Sequence, residues 1–465
     1  MRNGRASRTV SLSLIVAVLL LAGAPKRAKA DSLLDLKTLY YEESGDRIKV
    51  IAPMAAWQEE WDSGYSIRVE GIYNSISGAT PTGAPRAAAP AIAPAPVKVR
   101  ATRTPVVRPV DPGGEDDDEG DDDEGDDDKT SAKGRAVARA SQLPVSAAAY
   151  NTLAGATPPT PPPPIPTPKP KPGKTAPAVA PAAPAASGSG EIPMADFDDT
   201  RTAVNLEVSR RLGNHLPSVA LSFSSENDYV SRGVALKDAI DFNKKNTTLL
   251  IGVGGSSDLI EAEGQPEEDK TTIDLLLGVT QVINPLTLAS LTATLGRTDG
   301  YLSDPYKLTE VNGVLVPESR PDTKDRQILY ASLSRFFPSL NGSAETSYRF
   351  YNDSFGIQAH TAALAWYQKI GEHWIVRPLV RYYMQSEADF YAVRFTGTPD
   401  DYSSDYRISE MNSFGGGLKV IWSPNSRLSM DVSYERYEQQ GQDGVTPDSL
   451  YPSANMIMLG VRLWF

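Results

Sequence analysis

Strict alternation of apolar and polar residues, repeated in segment after segment, constrains this chain more than any other feature. Between residues 428 and 435, Leu428, Met430, Val432 and Tyr434 alternate with Ser429, Asp431, Ser433 and Glu435. Successive side chains of an extended strand point to opposite faces, so such a segment has one greasy and one wet face. The same division runs through residues 65–71, where Tyr65, Ile67 and Val69 oppose Ser66, Arg68 and Glu70. It recurs in 204–209, 219–224, 273–280 and 343–350. Outside residues 78–199 helical periodicity is nearly absent, so the fold class is all-β.

Two architectures suit strands of this kind. One is a soluble sandwich or barrel with a dry interior; the other is a membrane barrel with lipid outside and a polar lumen. Connection lengths separate them. Short, turn-like connectors fall at DSG (62–64), NHLP (214–217), NKKN (243–246), NPL (284–286), PSLNG (338–342), GEH (371–373) and SPNS (423–426). Longer polar stretches at 261–270, 301–324, 389–408 and 440–454 come between them. Bacterial membrane barrels have short periplasmic turns and longer external loops. The spacing therefore predicts a transmembrane antiparallel up-and-down β-barrel of about 16 strands, with both termini on the periplasmic side. Fourteen strands follow if residues 36–44 do not pair or if 226–229 is not a bend.

The ends of the chain agree with that expectation. Arg2, Arg5 and Arg8 precede the apolar run LSLIVAVLLLAGA (12–24) and then Ala28-Lys29-Ala30, the layout of a signal peptide cleaved after residue 30. No other stretch approaches the eighteen apolar residues of a helical span. The chain has no cysteine, which excludes disulfides and a lipid-modified cysteine. Removal of the first thirty residues, with six basic and no acidic side chains, takes the formal charge from −12 to −18. Nucleic acid is not an expected partner, because phosphate binding relies on basic patches that are missing here. The last residues, NMIMLGVRLWF, place Ile457, Leu459, Val461, Leu463 and Phe465 on one face with Arg462 on the other. A terminal strand of this form, ending in Phe, resembles the assembly signal that Gram-negative outer-membrane barrels present to their insertion machinery.

Four regions follow: a signal peptide (1–30), the first barrel strands (31–77), an insert (78–199) and the remaining strands (200–465). The insert holds 23 of the 37 prolines and, in residues 111–128, thirteen acidic side chains. It cannot bury enough apolar surface to offset its ordering entropy, so it is predicted to be disordered. The acidic run lacks the ligand spacing of an EF-hand loop, and weak, non-stoichiometric cation binding is the most it is expected to provide.

The stretch TLYYEESGDRIKVIAPMAAWQEEW, with IYNSISGATPTGAP (72–85) and SENDYVSRGVALKDAIDFNKKNTTLLIGVG (225–254), resembles an uncharacterised family of Gram-negative outer-membrane barrels. The resemblance covers most of the chain outside 86–199. It implies a barrel and, through neighbouring genes for a flavin transferase and a small lipoprotein, an association with an envelope redox system.

Charged residues on the polar faces are the candidate functional groups. Glu345, Arg349, Arg377, Arg381, Lys419, Asp431, Glu435 and Arg462 are expected to face the lumen. Charges of both signs suit a water-filled pore, and equally a lumen closed by ion pairs. Arg377 and Arg381, four apart on one strand and so about 13 Å from each other, form a candidate anion-attracting ladder. Catalytic residues, a metal site and a cofactor are not expected: among three histidines only His360, beside Thr361, lies near the external end of a strand. The expected function is a channel or passive transporter for small solutes; the alternative is a plugged scaffold barrel whose insert recruits surface partners. Outer-membrane lipid and the barrel-assembly machinery are the expected partners, and no oligomeric state is implied.

Overall fold

The computed structural model describes residues 30–45, 47–82, 194–262 and 264–465. The expected signal peptide as far as residue 29, the acidic run and most of the insert lie outside the described residues. The strands are β1 (Ala30–Glu43), β2 (Ile48–Trp61), β3 (Tyr65–Pro81), β4 (Met194–Arg210), β5 (His215–Ser225), β6 (Tyr229–Phe242), β7 (Thr247–Ile260), β8 (Glu268–Asn284) and β9 (Thr287–Gly300). After them come β10 (Leu308–Val311), β11 (Val314–Pro317), β12 (Thr323–Phe337), β13 (Gly342–Asp353), β14 (Gln358–Ile370), β15 (Trp374–Gln385), β16 (Met411–Asn425), β17 (Leu428–Gly441) and β18 (Ser453–Trp464).

Sixteen of them close into one barrel in which chain neighbours pair antiparallel and β9 pairs with β12. β10 and β11 form a separate hairpin within the β9–β12 connection. Closure is made by β1 on β18, with Leu36 opposite Val461 and Tyr40 opposite Ile457. A closed barrel leaves no unpaired strand edge, which is what allows strands to cross hydrocarbon. Both points on which the count rested are resolved in favour of sixteen: residues 36–43 belong to β1, and β5 and β6 meet at 226–228.

Seven connections lie at one end, one at each of the seven short connectors, although NHLP and SPNS are displaced: the turns there are 211–214 and 426–427, and residues 215–217 and 423–425 are strand. The opposite end carries the other eight, including 261–267, 301–322, 386–410 and 442–452. The alternation of lengths is looser than expected, because 44–47, 226–228 and 354–357 at that outer end are as tight as the inner turns. The insert boundaries also shift. β3 runs past residue 77 to Pro81 and β4 starts before residue 200 at Met194, paired from Tyr65–Arg210 to Pro81–Met194. The ISGATPTGAP stretch therefore begins as strand, with Ile76 buried. Gly78 permits this, since it has φ +133° and a Cβ there would lie 1.7 Å from the carbonyl oxygen of Arg47.

The two faces of the strands meet opposite environments. Leu221, Leu236, Ile251, Leu275, Leu295, Val380, Val432 and Leu459 are all 40% or more exposed on the outer face. Their neighbours Asp35, Lys237, Asp258, Asp274 and Thr294 are buried on the inner face. A water-soluble fold has the reverse arrangement. Aromatic side chains border the apolar zone. On β15 the outward Trp374 and Tyr382, and on β16 the outward Trp422 and Phe414, stand eight residues apart. At about 3.4 Å per residue and a tilt of about 40°, that spacing is about 21 Å along the barrel axis, close to the roughly 25 Å apolar band between aromatic girdles. Trp374 stacks on Trp422 at 5.9 Å and Phe337 packs on Trp366 at 5.7 Å, so the inner girdle is continuous across these strands.

Candidate lumen and its outer cap

Inward-facing charges mostly pair across neighbouring strands. Arg326 of β12 reaches over β9 to hold both carboxylate oxygens of Asp274 on β8, each at 2.8 Å. Gly296 lies between them; a Cβ on it would sit 2.2 Å from the Asp274 carboxylate. Lys237 pairs with Glu207 at 3.1 Å and Lys324 with Asp353 at 2.8 Å. A buried pair of this kind stays put only while both members are present.

All eight residues singled out from the sequence lie on the inner face. Lys419 pairs with Asp431 at 2.8 Å, and Arg462 with Asp35 at 2.7 Å across the closing seam. Glu345 accepts a hydrogen bond from Tyr367 at 3.2 Å. Arg377 lies over the Tyr367 ring at 5.2 Å, and Arg349 over the Tyr351 ring at 5.3 Å. Among the described residues, neither of these two arginines has a carboxylate within ion-pair distance. Arg381 and Glu435 line one small cleft with Leu379, Tyr383, Tyr437 and Met456. Gly415 and Gly416 of β16 line the same cleft. Gly417 allows a close approach within β16: a Cβ on it would meet Cγ of Glu435 at 2.5 Å. His360 is on the outer face, 2.6 Å from the Tyr348 hydroxyl.

The lumen wall is less uniformly polar than the alternation implied. Near the outer end Tyr41, Ile48, Val50, Ala52, Ile76, Tyr437 and Ala454 form a buried apolar cluster on the inner face. Tyr41 and Tyr437 join their hydroxyls at 2.6 Å, and Tyr41 donates to Glu43 at 2.7 Å. These inward apolar residues need something to pack against.

The outer connections fold together at this end. The 301–322 connection leaves β9 and returns to β12, yet Lys307 donates to the Pro81 carbonyl at the end of β3, and the Leu308 amide donates to Thr82 at 2.8 Å. Five strands separate β9 from β3 on the shorter way round. The Tyr306 hydroxyl also reaches Asp228 in the β5–β6 turn at 2.6 Å. A segment touching points so far apart on the rim crosses the mouth. The 386–410 connection packs against it. Arg320 pairs with Asp405 at 2.9 Å and with Glu318 at 2.7 Å, Arg407 pairs with Asp304 at 2.8 Å and with Asp405, and Ser403 donates to Glu318 at 2.5 Å. A third connection closes the ring: Tyr451 meets Ser409 at 2.6 Å, and Arg47 from the β1–β2 turn donates to the Leu450 carbonyl at 2.7 Å.

Electrostatics show how tightly this cap is made. Burial alone would raise the Asp405 carboxyl, but Arg407, Lys307 and Arg320 outweigh it and hold its pKa well below the usual range. Burial lowers the Lys307 ammonium in spite of Asp405. Packing around the charges is apolar, with Phe355, Ile357, Ala388, Phe390, Tyr391 and Ile408 in one cluster. In the β5–β6 turn, burial pushes Glu226 up to about 7, against Arg201 at 3.3 Å and with Asp199 and Asp228 adding to the rise. Asp199, Glu226 and Asp228 bring carboxylate oxygens within 4.8 Å of one another. The cap left no trace in the alternation pattern; its one legible sign was the length of the 301–324 and 389–408 stretches.

Comparison with other proteins gives a family and a shape. The sequence matches a family described as Protein of unknown function (DUF3570) over residues 11–268 and 265–463. No curated protein matches. Among solved structures, the siderophore receptor PirA of Pseudomonas aeruginosa is 8% identical, with 94% of this chain and 62% of the receptor covered and a TM-score of 0.41. A bacterial polysaccharide outer membrane secretin is 8% identical, with 93% and 98% covered and a TM-score of 0.43. The outer membrane protein OpdK of Pseudomonas aeruginosa is 8% identical, with 94% and 99% covered and a TM-score of 0.36. This chain thus spans less than two thirds of the receptor's length. A closed sixteen-stranded barrel, apolar outside, charged within and banded by aromatic girdles, has the build of an outer-membrane barrel.

Proposed function

The chain belongs to the family described as Protein of unknown function (DUF3570), and we propose that it is an outer-membrane channel for passive passage of small solutes, restricted at its outer mouth by folded connections. One observation carries this reading. Among the described residues Arg349 and Arg377 stand on the inner wall above tyrosine rings with no carboxylate in ion-pair range, in a barrel where inward charges such as Arg326 with Asp274 and Lys419 with Asp431 are paired. A charge left in this way needs water, and a barrel of sixteen strands has room for it. Lipid around the apolar band, insertion by the barrel-assembly machinery and an absence of enzymatic chemistry belong to the same proposal. So does the redox association implied by the family resemblance, to be tested by recovery of a flavin-bearing partner with the affinity-purified barrel; recovery of none would remove it.

The direct test is conductance of the refolded full chain in planar bilayers, where discrete steps in KCl are expected. Well-folded protein that never conducts would defeat the channel. The cap favours a second reading, in which the lumen is plugged and the barrel serves as a scaffold for surface partners. It foresees silence both from the native chain and from variants with a loosened cap.

A further inference from the structure

We infer that the lumen wall around Arg349 is a binding subsite for small carboxylate solutes. The inference deepens the channel reading and rests on it for its biological sense. Arg349 sits on β13 directly opposite Thr361 of β14, which is in turn opposite Tyr383 of β15. Its guanidinium lies over the Tyr351 ring, and among the described residues it donates no hydrogen bond. The two tyrosines are fixed from the far side: Tyr351 donates to Asp353 at 2.7 Å and Tyr383 to Gln385 at 2.5 Å. Gln385 is itself anchored to the carbonyls of Arg407 at 3.0 Å and Ser409 at 2.7 Å in the cap. The arginine is therefore positioned over the Tyr351 face, and its fork of N–H donors is left unfilled.

Thr361, between Arg349 and Tyr383, is 93% buried by virtue of its 7% exposure, and its hydroxyl oxygen has no hydrogen-bond partner. Buried polar atoms are nearly always satisfied, so an unpartnered hydroxyl beside an open guanidinium marks a place for a ligand's polar atoms. Ala359, Ala363 and Ala365, on the inner face of the same strand, put no bulky side chain beside it. Arg381, opposite Ala363, adds positive charge two residues along β15.

The local charge selects among anions. A carboxylate matches a single guanidinium fork with two parallel hydrogen bonds. Glu345, on the same strand, and Glu435, beside Arg381 in the neighbouring cleft, disfavour a doubly charged phosphate. The two flanking tyrosines add flat apolar surface suited to the hydrocarbon part of the solute.

The test is titration calorimetry of the refolded full chain in detergent with the monocarboxylates benzoate and butyrate and with inorganic phosphate, beside the conductance measurement. Benzoate and butyrate are expected to bind the native chain at least ten-fold more tightly than phosphate. R349Q is expected to weaken carboxylate binding at least ten-fold, R349K to weaken it part of the way because the charge stays while the fork is lost, and R297Q at the exposed rim to leave it unchanged. If R349Q does not fold, R349K decides. Equal affinity of the position-349 variant and the native chain, phosphate binding as tight as carboxylate, or no carboxylate binding to folded protein would each overturn the subsite. A silent barrel that still binds carboxylates through Arg349 refutes the channel and keeps the subsite; a conducting barrel that binds none does the opposite.

Discussion

At the scale of single residues, the inner wall is governed by the cost of leaving a charge alone away from bulk water. Asp274 is fully buried and Arg326 holds both of its oxygens. Asp274→Ala is expected to lower stability by about 3 kcal/mol, since an unpaired buried guanidinium remains. Urea titration of the folded barrel in lipid measures this, and the double change D274L with R326M should recover most of the loss. Glu226 makes a pH-dependent contribution. Its pKa of about 7 in the fold lies above the unfolded value, so its contribution is complete below the unfolded pKa and is lost as pH rises through 7. It is faced by Arg201 and Lys270 as well as by Asp199 and Asp228. Amide exchange in residues 226–229 should therefore speed up between pH 6 and pH 8 in the native chain, beyond the intrinsic rise, and E226Q should remove that excess.

At the scale of elements, each strand is a two-sided surface, and the same substitution has different costs on its two sides. Val432 faces out and Ser433 faces in on β17. Val432→Lys is expected to cost about 2–4 kcal/mol, as a lysine does near the mid-plane of an outer-membrane barrel. Refolding into lipid vesicles at graded urea checks this, and Ser433→Thr, pointing to the lumen, should change little. The cap is an element of another kind, made of three connections around one knot of charge. Asp405→Asn leaves Arg320 and Arg407 without a shared carboxylate and is expected to destabilise the cap by about 3 kcal/mol. Larger conductance steps and faster proteolysis within 386–410, with the barrel itself intact, are the expected outcome. Steps and cleavage at native levels would show that the cap does not depend on this knot.

At the scale of the whole molecule, closure and parity fix sidedness. Sixteen antiparallel strands return the end of β18 to the side on which β1 begins, the side of the seven short turns. The residues between β3 and β4 therefore leave from and return to the opposite end, together with the cap. Protease added to intact cells is expected to cut first between residues 82 and 194. Cleavage that occurs only after the outer membrane is permeabilised would invert the orientation.

What the sequence by itself determined was the period and the count. Alternation assigned Arg377, Arg381, Lys419 and Arg462 to one face because a strand offers its side chains only two directions, and turn chemistry at the seven short connectors marked where the chain reverses. Those are local properties. The girdle pairs Trp374–Trp422 and Phe337–Trp366, the Arg326–Asp274 clasp and the path of 301–322 across the mouth join residues on different strands or loops. Their existence depends on barrel register and on which connection lies beside which, so they are decided only when the sheet closes. The residues that bear most on the proposed function, Arg349 above its tyrosine and Asp405 among its cations, owe their environment to that closure, because a charge's partners are set by distant parts of the chain.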